Sequence, residues 1–202
     1  LDGKPESPLP ERRITMGTTT TIVVLLMTLL VYALFCVVQF RFLFAGLFMN
    51  GSIALPDGLT YSDYARNGFF QLLAVTAINL TIFAVALTFT PRTRSLTVSL
   101  IALMTETAIM LLTAALRLGL YIDAYGLTWL RYVSMTFIAL LAVAILLCLV
   151  RLEVQRLPLI ATIVALFIVW YVALGFSNPY WICETYNAFH GFDAAASVQP
   201  IR

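Results

Sequence analysis

The sequence predicts an all-α, polytopic membrane bundle of about five transmembrane helices, and three observations predict it. First, 61% of the residues are hydrophobic and only 11% are charged, against about 25% charged in a soluble domain. Second, five stretches each carry the ~20 predominantly apolar residues that a membrane-crossing helix needs. Third, these stretches are continuously apolar and lack the period-two alternation of barrel strands, so their backbone groups must be satisfied within helices. A soluble fold of 202 residues could not cover so much apolar surface with polar groups.

The elements follow in order. A polar arm, residues 1–15, contains Pro5, Pro8 and Pro10 and reads as a flexible linker. The chain starts at Leu1 and shows no signal-peptide pattern, as expected of a piece of a longer protein. The membrane domain is expected over 16–178. Its first apolar stretch runs from about Thr18 to Val38. The segment Gln39 to Thr60 is ambiguous. Phe40-Arg41-Phe42-Leu43-Phe44 suits either a helix extended past the lipid or an interfacial turn, and the turn is expected because aromatic rings and snorkelling arginines favour that depth.

The second stretch, about Phe69 to Phe89, follows a relaxed capping box formed by Thr60 and Asp63. Pro91-Arg92-Thr93-Arg94 ends it, because proline cannot continue a helix. The third stretch runs from about Leu96 to Leu116 and breaks at Asp123-Ala124-Tyr125-Gly126. Thr128 can cap the fourth, about Tyr132 to Val150. Arg151 to Pro158 separates it from the fifth, about Leu157 to Phe176, which Asn178-Pro179 ends. Residues 179–202 are expected to form an extramembrane tail. Gly58-Leu59-Thr60-Tyr61 and Gly126-Leu127-Thr128-Trp129 echo each other as helix starts, and two ordinary N-caps explain the echo.

With five spans, the N-terminal arm and the second and fourth loops share one side. That side carries Lys4, Arg12, Arg13, Arg92, Arg94, Arg151 and Arg156; the other carries Arg41, Arg66, Arg117, Arg131 and Arg202. The positive-inside rule places the first set, and the N-terminus, in the cytoplasm and the C-terminus outside.

Several functions are disfavoured by composition. A net charge of +2 without a basic stripe gives no nucleic-acid partner. Cys36, Cys148 and Cys183 lie far apart, form no CxxC pair and read as small buried hydrophobes. His190 is the one histidine, and neither a metal-ligand cluster nor a hydrolase or phosphate-loop motif is present, so no cofactor is expected.

Two sets of polar residues remain. Glu106 lies midway through the third stretch, where a carboxylate costs about 2.5–3.5 kcal/mol on insertion scales. It is a candidate proton, cation or ligand site; the bland alternative is a neutral acid hydrogen-bonded to a neighbouring helix. Asn79, midway through the second stretch, is the expected cross-helix partner. Arg117 lies eleven residues beyond Glu106, on the same helix face but ~16 Å along the axis, and Tyr121 continues that stripe. The second set is the outer-side cluster of Asp63, Arg66, Arg117, Tyr121, Asp123 and Arg131. Ion pairs that pin helix ends account for it, and a pocket for an anionic headgroup is the functional alternative.

Four separated stretches resemble motifs of a bacterial membrane family, domain of unknown function 4173. Gly58-Leu59-Thr60-Tyr61-Ser62-Asp63-Tyr64-Ala65-Arg66-Asn67-Gly68-Phe69-Phe70 is similar to its LTYAEYARRGFFEL signature, and residues 116–128, RLGLYIDAYGLT in their core, to its RLxLYxxAYGLT. Residues 39–44 resemble QxxYLFGG, with Ala45 interrupting the glycine pair. Asn178-Pro179 with Tyr186-Asn187 resembles NPDxxIARYN, with Thr185 in place of the family's arginine. The resemblance covers about Gln39 to Asn187. It implies a multi-spanning protein of the bacterial inner membrane with further helices upstream, and no activity. Glu106 and the outer-side cluster motivate the expected function, which is non-enzymatic, either small-ligand or ion transport or an assembly subunit. The partners expected are the lipid bilayer and other membrane helices. The alternatives are an enzyme acting on a lipid-linked or phosphate-bearing substrate, with Asp63 or Asp123 as base, and a membrane sensor or scaffold.

Overall fold

The computed structural model describes residues 16–48, 61–154 and 156–192, with side chains described at 16–37 and from 71 onward within those ranges. Among the described residues there are six helices and no strand: α1 (Thr18–Phe48), α2 (Tyr61–Phe89), α3 (Arg94–Tyr125), α4 (Trp129–Glu153), α5 (Leu159–Phe176) and α6 (Pro179–Phe189). The first five are long and apolar enough to cross a membrane, and the chain is a multi-pass helical membrane protein.

α3 is the hub. It packs against α1, α2 and α4, while α4 also carries α5 and α6. Its span is 44% buried inside the bundle, against 6% for α5. The reason is visible in its side chains. Leu96, Leu100, Leu103, Met110 and Ala114 recur at helical spacing and are all buried. α1 and α5 instead expose Leu, Val and Phe around most of their circumference, which hydrocarbon accepts at no cost.

At one end of the bundle the helices are tied through backbone groups. The Met16 N–H donates to the Phe89 carbonyl at 2.8 Å, and the Thr21 and Thr90 hydroxyls lie 3.0 Å apart. Arg92 donates to the Leu152 carbonyl, so the α2–α3 connection satisfies a backbone acceptor near the end of α4. Thr93 caps α3 by accepting from the Leu96 N–H at 3.2 Å.

Four boundaries differ from the sequence expectation. α1 does not turn at Gln39; it continues as helix to Phe48. Phe, Leu and Arg are all compatible with helix, and within α1 no Pro or Gly occurs before Gly46. α2 starts at Tyr61, one residue after Thr60, which lies outside the described residues together with its capping box. α3 runs to Tyr125, so Asp123 to Tyr125 are its last turn, and the break shrinks to Gly126–Thr128. Gly126 has φ 76° and ψ 172°, a region open essentially to glycine alone, and it is the first residue there that the helix cannot absorb. Thr128 occupies the N-cap position of α4 without a side-chain cap bond. Finally, the segment after Asn178 forms α6. Asn178 itself is left-handed, φ 45°, a conformation asparagine tolerates better than most residues, and Pro179 starts the new helix.

Candidate functional site

Glu106 is twelve residues into α3, ~18 Å from its start, and therefore deep within the span. Its side chain is half-buried, and its Oε2 is fully buried with no hydrogen-bond partner. α1 packs against α3, and its half-buried Tyr32 and Cys36 lie on the side toward Glu106. Those two residues are four apart and so occupy one face of α1. An otherwise apolar contact thus encloses a carboxyl, a phenol and a thiol.

Asn79 is completely buried, but it does not meet Glu106. Its Nδ2 donates at 2.9 Å to the Thr107 hydroxyl, which in turn donates to the Leu103 carbonyl at 2.6 Å. Successive residues on a helix point about 100° apart. Glu106 therefore addresses α1 while Thr107 addresses α2, and the polar residue in the middle of each neighbour meets a different position of α3. The Asn79 Oδ1 is left buried without a partner, like the Glu106 Oε2. The hydroxyls of Thr76 and Thr105 are bonded back to Leu72 and Ile101 carbonyls and are not available to either.

A groove of about 580 Å³ lies between α1 and α2, lined by Met16, Thr20, Val24, Thr81, Val85 and Ala86 among others. The Thr81 hydroxyl is bonded within its own helix, so the groove presents hydrocarbon and offers little to a polar ligand.

The polar residues at the other end form a tight knot around the α3–α4 turn. Arg131 of α4 lies over the Tyr121 ring, its guanidinium carbon 4.1 Å from the centroid. Its Nη1 donates to the Tyr125 carbonyl at 3.0 Å and also to that of Gly126, so one arginine satisfies acceptors at the end of α3. The Tyr121 and Tyr125 rings are 5.0 Å apart. Arg117 is buried and engaged.

α6 completes the knot. Asn187, fully buried, accepts from the Leu127 N–H at 2.7 Å and donates to the Leu127 carbonyl at 2.9 Å. A Cβ on Gly126 would lie 2.9 Å from the Asn187 Oδ1, so the glycine permits both the turn and the approach of α6. The Tyr186 hydroxyl donates to Asp123 at 3.4 Å. Burial, the Asp123 charge and that bond together hold the phenol above its ordinary range. The His190 ring stacks on Tyr186 at 4.1 Å.

Of the residues singled out from the sequence, the structure joins Tyr121 and Arg131, and it places Asp123 at the same turn. Asn79 joins α2 to α3 but not to Glu106. Asp63 and Arg66 lie in the first turns of α2, and their side chains are outside the described ones. Tyr32, Thr107, Tyr186 and Asn187 were not singled out as site residues. The only signal for the last two was their place in the stretch that resembles NPDxxIARYN; in the structure Tyr186 bonds Asp123 and Asn187 bonds Leu127. No group of three or more metal-ligating side chains occurs among the described residues.

No curated protein and no solved structure matches the chain. The motifs quoted above resemble a family with a different number from the one whose model matches; both are domains of unknown function. That model covers residues 2–194, nearly the whole sequence, and the chain therefore belongs to the family Domain of unknown function (DUF4153).

Proposed function

We propose that this domain is a non-enzymatic module of the bacterial inner membrane that binds a proton or small cation at Glu106, between α1 and α3. The observation that carries the reading is the buried Glu106 Oε2 without a partner, deep in a membrane span. Such a group costs about 2.5–3.5 kcal/mol to insert, and structure alone gives no return for leaving an acceptor unmet. Tyr32 and Cys36 place a hydroxyl and a thiol near the carboxyl on the facing helix, and neither is bonded to its Oε2.

The turn cluster supports this choice by offering little to a substrate. Arg131 is committed to backbone carbonyls and Asp123 to Tyr186. The orientation belongs to the same reading. The end bearing Arg92, Arg94, Arg151 and Arg156 is cytoplasmic, and the α3–α4 turn faces outward.

The test is chemical labelling followed by flux. Dicyclohexylcarbodiimide attacks protonated carboxyls in apolar surroundings. The full chain in lipid vesicles is expected to be modified at Glu106, with modification lost in Glu106→Gln and slowed at alkaline pH. Proton flux in the same vesicles is expected to fall to the protein-free level in that variant. A folded Glu106→Gln protein with unchanged flux, together with an unlabelled Glu106 in the parent, rules the site out.

A further inference from the structure

We infer that α6 is an interfacial helix that rests in the lipid headgroup layer, with Tyr180, Trp181 and Phe189 as its anchors. The argument starts from length. α5 has 18 residues, or ~27 Å of helix, close to the ~30 Å of a hydrocarbon core. A span that short has no surplus, so Phe176 at its end stands at the hydrocarbon boundary. Two residues separate Phe176 from Pro179, and left-handed Asn178 turns the chain there. α6 therefore begins at headgroup depth.

Its sequence divides accordingly. Ile182, Cys183, Tyr186 and Asn187 form the face packed on α4 and the turn before it. Trp181 points away from that face and is 64% exposed, while Tyr180 and Phe189 on its flanks are 73% and 87% exposed. The same face carries the exposed Glu184, and amphipathic rings beside an isolated charge are what is enriched where a membrane meets water. The patch does not stand alone. Tyr125 at the end of α3 and Trp129 at the start of α4 are also exposed, at the same end of the bundle. Exposed aromatic rings thus occur on α3, α4 and α6 at this one end. At the opposite end the exposed side chains include Arg92, Arg94 and Arg156.

The experiment uses fluorescence in bilayers. The chain has three tryptophans, so Trp129→Phe with Trp170→Phe leaves Trp181 as the sole emitter. In phosphatidylcholine vesicles Trp181 is expected to lose more fluorescence to lipids brominated near the headgroup than to lipids brominated near the chain ends, and to be only weakly quenched by iodide. Strong iodide quenching with no effect of brominated lipid would place α6 in water. Quenching by neither, with emission that depends on the protein-to-lipid ratio, would assign the face to a second copy. Either result overturns the inference. Should the double variant fold poorly, the difference between the parent chain and Trp181→Phe reads the same quantity.

Discussion

Glu106 and Thr107 are neighbours in the chain that serve different helices, and the contrast sets their expected behaviour on substitution. Thr107 is paired with Asn79, so Asn79→Ala leaves the Thr107 hydroxyl without its buried donor and is expected to destabilise by about 1–3 kcal/mol, measured by thermal unfolding in detergent. Glu106→Gln removes no protein hydrogen bond and keeps the shape, so its melting temperature is expected to stay near the parent's while ligand binding is lost. At the turn, Asn187→Ala strips Leu127 of both its side-chain partners, and a loss of about 1–3 kcal/mol is expected there too. Tyr186 titrates in a defined direction. A phenol whose value is raised on folding contributes stability below its ordinary value, near pH 10, and loses it as pH climbs through the folded value. Protection of the Leu127 amide from hydrogen exchange, corrected for the intrinsic rate, is therefore expected to weaken above about pH 10, and Tyr186→Phe is expected to remove that dependence.

The helices show what a sequence can convey and where it stops. The five spans were legible because a long apolar run has one physical solution in lipid. Their ends were less so. Phe40-Arg41-Phe42 satisfies a helix and an interfacial turn equally, and only the continuous backbone of α1 separates the two. Asp123 to Tyr125 contain nothing that stops a helix, so the break begins at Gly126, three residues later than the polar residues suggested. α6 was invisible as an element, since eleven residues with one buried stripe resemble any tail. Glu106 was legible as a candidate because its position is costly wherever it points. Its neighbours on α1 were not legible, because which helix a side chain faces depends on packing that composition does not encode. The Thr93 cap belongs to this scale: Thr93→Ala is expected to cost ~1 kcal/mol and to fray the first turn of α3, measured by amide exchange of residues 94–97.

At the scale of the whole molecule, the two ends expose different chemistry, arginines at one and aromatic rings at the other, where Arg117 and Arg131 are turned inward. The proposed orientation predicts the outcome of site-directed labelling in cells. With the three native cysteines replaced, a cysteine at Arg94 is expected to react with a membrane-impermeant maleimide only after the cells are opened. A cysteine at Ala124, exposed at the end of α3, is expected to react from outside. The reverse pattern would invert the topology and leave the bundle intact.

Leu127 and Asn187 stand 60 residues apart, yet they hold each other by two hydrogen bonds. Everything strung between them, α4, α5 and α6, is thereby fastened into a closed circuit with a non-covalent clasp. A circuit opened at a single point does not come apart. Nicking the chain at the 154–158 connection is expected to yield two fragments that migrate together in mild detergent, with the downstream piece still hooked to the turn it came back to find. Opening the clasp as well, through Asn187→Ala, is expected to weaken that association, leaving only the packing of α5 and α6 on α4 to hold the piece.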